Sequence, residues 1–145
     1  ISFTHIEMLD KTNTERNSFY INETVKFKSS YQVFTEVKGL CVNVCLFSTK
    51  ARGVLITDMP YTITDQTVKP GRQGTAVVEL DLTTIRPGEY SLYFWLGDLQ
   101  ALEQGNAINY DVVEDMTERL MVVPRNEEEK KILGIFSLPS RITQL

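Results

Sequence analysis

Glu89-Tyr90-Ser91-Leu92-Tyr93-Phe94-Trp95-Leu96-Gly97 is the most apolar stretch of the chain, and it alternates with period two. Successive side chains of a strand point to opposite faces, so Tyr90, Leu92, Phe94 and Leu96 share one side while Ser91, Tyr93 and Trp95 share the other. Arg86-Pro87-Gly88 precedes it as a turn. Val68-Lys69-Pro70-Gly71 has the same chemistry: Pro presets φ and Gly accepts the positive φ that a type II turn needs next. Residues 73–82, between the two turns, therefore read as a strand. Further out, residues 24–34 place Val25, Phe27, Ser29, Tyr31 and Val33 on one side, and residues 40–47 place Leu40, Val42, Val44 and Leu46 inward. Residues 2–9, 53–57 and 116–123 complete the predicted strands, and residues 100–115, with Gly105 and Asn106, read as a long loop with a helical turn. This is the pattern of an all-β chain, an antiparallel immunoglobulin-like or jelly-roll β-sandwich over residues 1–124.

The chain has 145 residues, enough for one domain that buries a sizeable core without staples. Its composition, 42% hydrophobic and 23% charged, is that of a globular domain. The net charge is −4, with Lys and Arg scattered along the chain, which argues against a nucleic-acid partner and against an anionic membrane surface. No apolar run is long enough for a membrane-crossing helix, so direct membrane insertion is not expected. The chain begins with Ile1, and the reading is of a piece cut from a longer polypeptide. Cys41 and Cys45 lie four apart in a strand, about 13 Å at the usual rise, whereas a disulfide needs Cα atoms within about 7 Å. Two unpaired thiols favour a reducing compartment and most simply serve as inert small residues.

After Pro124 the character changes. Residues 125–131 form a polar linker or short helix, and Glu127-Glu128-Glu129-Lys130-Lys131 is a solvated run. Ile132-Leu133-Gly134-Ile135-Phe136-Ser137-Leu138-Pro139 is strongly apolar and must cover a surface. Residues 132–145 are expected either to dock on their own sandwich or to be exchanged as a strand within a homodimer.

Parts for catalysis are few. His5, the sole histidine, lies in the first strand and reads as a surface imidazole, and one His with two distant Cys writes no zinc pattern. No phosphate-cradling Gly loop or nucleophile elbow occurs. Glu79 and Asp81 lie about 7 Å apart on one strand face, but glycosidase acids face each other across a cleft, so this pair reads as solvated. Asp58, Asp65, Asp98 and Asp111 lack calcium-loop spacing, and chance accounts for the sequon-like Asn22-Glu23-Thr24. The chain is therefore read as one that binds, without a cofactor or metal, rather than one that catalyses.

The aromatic residues that point away from the core are more informative. Tyr93 and Trp95 stand side by side, and flat rings suit the apolar C–H face of a sugar, with a few polar groups to meet its hydroxyls. In an immunoglobulin-like order the neighbouring strands are residues 40–47 and 116–123. They bring Asn43, Cys45 and Phe47 to one side of the rings, and Arg119 and Met121 to the other. The candidate carbohydrate-binding residues are thus Trp95, Tyr93, Asn43, Phe47, Arg119 and Met121, with Asn43 and Arg119 as hydroxyl or carboxylate partners. The alternative is that a loop or a dimer partner covers both rings.

Three stretches carry a resemblance: Val68-Lys69-Pro70-Gly71-Arg72-Gln73-Gly74, Leu82-Thr83-Thr84-Ile85-Arg86-Pro87-Gly88-Glu89-Tyr90-Ser91-Leu92, and Gly134-Ile135-Phe136-Ser137-Leu138-Pro139. With the opening strand and Glu23-Thr24-Val25-Lys26-Phe27, they resemble the C-terminal carbohydrate-binding domain of Wzt-type ATP-binding subunits of O-antigen polysaccharide ABC transporters. The resemblance implies a cytoplasmic module that recognises the non-reducing terminal residue or modification of a polysaccharide for export. It implies an ATPase domain N-terminal to it in the parent chain, and a homodimer through exchange of the last strand. Where that family often has an aromatic residue soon after the tail's proline, this sequence has Ile142. The open alternatives are a structural dimerisation domain and an adhesion-type sandwich without glycan binding.

Overall fold

The computed structural model describes residues 1–50, 54–98, 105, 108–114, 116 and 118–130. Strands β1 (Ser2–Leu9), β3 (Thr24–Gln32) and β6 (Gln73–Asp81) form a three-stranded sheet in the order β1-β3-β6. The second sheet runs β2 (Ser18–Tyr20), β9 (Leu120–Val123), β7 (Gly88–Asp98), β4 (Leu40–Ser48), β5 (Val54–Thr64), with β8 (Ile108–Val113) also paired to β7. Three strands facing a sheet centred on β4 and β7 reproduce the immunoglobulin-like arrangement expected from the sequence. Among the described residues, a 3-10 turn, Leu82–Thr84, and a short helix α1, Glu127–Lys130, lie outside the sheets.

Strand phase explains the core. β3 alternates without a break, burying Val25, Phe27, Ser29 and Tyr31, while β7 buries Tyr90, Leu92, Phe94 and Leu96 against it. Phe94 sits at the centre, its ring edge-on to Phe27 at 6.1 Å and to Phe3 at 6.3 Å between centroids. Burying a side chain of this size contributes about 1.5–3 kcal/mol before packing terms. Gly74 lies opposite Tyr31 in the β3–β6 ladder, and a Cβ there would collide with the Tyr31 ring. Gly71 has φ +87°, as the type II turn after Pro70 demands. After the second Pro-Gly turn, the Tyr90 hydroxyl donates back to the Arg86 carbonyl at 2.5 Å, a tyrosine corner that pins the entry of β7.

Four elements depart from the sequence reading. β5 continues to Thr64, well past the expected end at Thr57. β5 is the edge of its sheet, where the missing N–H of Pro60 is tolerated. Residues 108–113, read as loop, form β8, because an apolar edge of β7 from Phe94 to Asp98 is there to pair with. Ser18–Tyr20 was not expected as a strand, and it pairs parallel to β9, so the sheet is mixed. β9 is also shorter than the expected 116–123, beginning at Leu120. The linker expected over 125–131 holds α1, while the apolar run 132–139 and the rest of the tail lie outside the described residues.

Candidate functional site

The face of the larger sheet that turns away from the core is laid out by the ladders of β5, β4, β7 and β8. One row across the strands is Asp58, Cys45 and Tyr93; the next is Pro60, Asn43, Trp95 and Val112; the next is Thr62, Cys41, Gly97 and Asn109. Glu114 follows Val113, the partner of Phe94, and so extends the first row beside Tyr93.

Trp95 points away from the sandwich interior, as strand phase required, and it is not part of the core cluster. It is nevertheless only 8% exposed. The indole folds over Gly97, where any Cβ would collide with its six-membered ring, and its N–H donates to Asn109 Oδ1 at 2.5 Å. With Cys41 and Cys45, both buried, it makes a small second packed layer on the outside of the sheet. Burial pushes the Cys41 thiol up, and burial followed by the charge of Asp58 pushes Cys45 to about 11, so neither thiol is a ready nucleophile at neutral pH.

Tyr93 and Phe47 are the partly open rings of this face. They meet edge to face, 6.4 Å between centroids at 73°. Burial, then Cys45 and Glu114, hold the Tyr93 phenol above its ordinary value, so it stays a neutral donor and acceptor at neutral pH. Asn43 lies directly across from Trp95, and its Oδ1 accepts the Met59 N–H at 2.9 Å, tying β5 to β4 beside Pro60.

The structure thus brings together Trp95, Tyr93, Asn43 and Phe47. Arg119 and Met121 stand further along β7, not beside Trp95. β9 pairs with β7 only at Gly88, Glu89 and Tyr90, and Met121 stands opposite Glu89. Six residues of strand separate Glu89 from Trp95, about 20 Å. Arg119, which precedes Leu120, the partner of Tyr90, falls beside Ser91, about 13 Å along β7 from Trp95. β8 takes the place beside Trp95 that β9 was expected to fill, and it supplies Asn109, Val112 and Glu114. Sequence reasoning missed these because they lay in a presumed loop. The one readable signal was Gly97, two residues beyond Trp95 on the same face, where a large ring needs a small neighbour.

Elsewhere, His5 is exposed, 3.6 Å from Glu7. Asp81 caps the 3-10 turn by accepting the Thr83 N–H, and Glu79 sits exposed opposite Lys26. A cleft of about 230 Å³ near Phe19 and Tyr20 is lined by Arg16, which stacks 4.6 Å over Phe19 and pairs with Asp10 and Glu23. Among the described residues no group of His, Cys, Asp and Glu is placed to hold a metal ion, and no helix is long and apolar enough to cross a membrane.

Fold and face together define a β-sandwich domain of unequal sheets with an aromatic-polar outer surface. The model of the Wzt C-terminal domain matches residues 1–138, and the chain belongs to that family, whose setting is a transporter subunit. A crystal structure of the C-terminal domain of Wzt is similar over 99% of this chain and 83% of that one, with a TM-score of 0.78 and 11% identity, which shows a shared fold. A crystal structure of chicken MD-1 complexed with lipid IVa aligns over 73% of this chain and 76% of that one at a TM-score of 0.38 and 12% identity, too loosely to carry an argument. No curated protein matches the chain.

Proposed function

We propose that this domain is a carbohydrate-binding module that recognises the non-reducing terminal residue or modification of an O-antigen polysaccharide and so admits it to export by an ABC transporter. The carrying observation is the edge-to-face pair of Tyr93 and Phe47 on the outer face of the larger sheet. A sugar ring stacks its C–H face on Tyr93, while the amides of Asn43 and Asn109 and the flanking acids meet its hydroxyls. Trp95 serves this surface as its floor, holding Tyr93 and Asn109 in place. Arg119 and Met121 meet a ligand only if it extends along β7 toward Glu89. The domain works by binding, with no chemistry of its own.

In the parent protein the module follows an ATPase domain at the cytoplasmic face of the inner membrane and works as a homodimer. The family membership and the unpaired, buried thiols support this setting.

Titration calorimetry with the cognate polysaccharide tests the site. Tyr93→Ala is expected to lower affinity at least about tenfold, which is about 1.4 kcal/mol, with little change in melting temperature. Unchanged affinity in both Tyr93→Ala and Phe47→Ala sinks the assignment and leaves the structural, dimerising role.

A further inference from the structure

The geometry points to a ligand end that presents hydroxyl or ammonium donors and bears no acidic group. This rests on the saccharide reading of the outer face given above and names the class of sugar that the face accepts. Tyr93 stands in a row bounded on both sides by carboxylates. Asp58 lies on the β5 side, one strand beyond Cys45, and Glu114 lies on the β8 side, next to Tyr93 in register. Three strand spacings separate their backbone positions, about 14 Å, so a ring stacked on Tyr93 has an acid within side-chain reach on either flank. Both acids are exposed, and both act on this face: Glu114 raises the Tyr93 phenol and Asp58 raises the Cys45 thiol. Glu89 continues the same sign along the outer row of β7.

An ionised carboxylate only accepts hydrogen bonds, so each acid suits the paired hydroxyls of a sugar and, more strongly, an ammonium group. A phosphate or uronate placed over Tyr93 would meet like charge from both flanks. The nearest cation to this row in register, Arg119, precedes Leu120 and so falls beside Ser91, about 7 Å along β7 from Tyr93 and on neither flank of the row that Asp58 and Glu114 bound. The aromatic pair and the amides of Asn43 and Asn109 define where the sugar sits; Asp58 and Glu114 define what charge it carries.

An array of oligosaccharides with matched neutral, amino-sugar, uronate and phosphorylated ends tests this, probed with the wild-type chain and with the double variant Asp58→Asn, Glu114→Gln. Wild type is expected to retain neutral and amino-sugar ends and to hold acidic ends at least about tenfold more weakly, with the gap narrowing at high salt. The double variant is expected to lose most of that gap, holding acidic ends more tightly and neutral and amino-sugar ends more weakly than wild type, because the carboxylate acceptors are gone. Wild-type preference for acidic ends, or an unchanged gap in a double variant of unchanged melting temperature, overturns the inference and leaves the saccharide site standing. Retention of no glycan by the wild type removes the saccharide reading and this inference with it.

Discussion

The Trp95 indole lies over Gly97, two residues further along β7, on the side of the sheet that faces away from the core. The chain has a single tryptophan, so its emission reports the surroundings of this one indole. Gly97→Ala puts a methyl where the ring sits, and the indole must swing out or the strand must shift. Overpacking of this kind costs about 1–3 kcal/mol. The expected outcome is a red-shifted emission and a lowered urea midpoint; unchanged emission would mean that the ring does not rest on this glycine.

The tyrosine corner predicts a quieter effect. Tyr90→Phe keeps the buried ring and removes the bond from the hydroxyl to the Arg86 carbonyl. A typical loss is about 0.5–1.5 kcal/mol, read by urea denaturation. Since Tyr90 faces the core, glycan affinity should not change, which separates this variant from those on the outer face.

How much of this was legible depended on whether a strand's pattern is set by itself or by its neighbours. The inward sets of β3, β4 and β7 follow from alternation alone, because a one-residue slip would turn Phe27 or Phe94 to solvent. β5 was cut short at Thr57, and it is the strand's edge position that lets it run on through Pro60. β8 was lost altogether: Gly105 and Asn106 announce a loop, and only the unpaired half of β7 makes Ile108–Val113 a strand. The site inherited that error. Tyr93, Asn43 and Phe47 were placed correctly by phase, and Trp95 was sent to the right face, but its burial depends on Gly97 and on Asn109 from the unseen strand. Arg119 and Met121 were assigned to a neighbour that stops short of Trp95.

The thiols carry a pH dependence whose sign is fixed by burial. Cys45 titrates at about 11 in the folded chain against an ordinary 9.0, so the folded state keeps its proton where the unfolded chain has lost it. Its contribution to stability is full below the ordinary value and falls as pH climbs from about 9 toward 11. The slope is at most about 1.4 kcal/mol per pH unit for one thiol. Urea midpoints across that range should fall more steeply for wild type than for Cys45→Ala. In the native chain at pH 8 both cysteines should resist a thiol reagent that labels them at once in urea; rapid native labelling would refute their burial.

The separation of the two halves of the outer face yields a test of ligand length. Along the β7 row Met121 stands beside Glu89, about 13 Å from Tyr93 and about 20 Å from Trp95 at the usual strand rise. A single terminal sugar on Tyr93 does not span that gap. If the module reads only the chain end, Met121→Ala leaves the affinity for a short terminal fragment and for the whole polysaccharide unchanged, while Tyr93→Ala weakens both. If the glycan instead lies along β7, Met121→Ala weakens the polysaccharide and spares the fragment. Parallel titrations of the two ligands against the two variants distinguish end recognition from recognition along the chain. Met121 is partly exposed and outside the core, so its truncation should leave the melting temperature in place and any loss of affinity readable as lost contact.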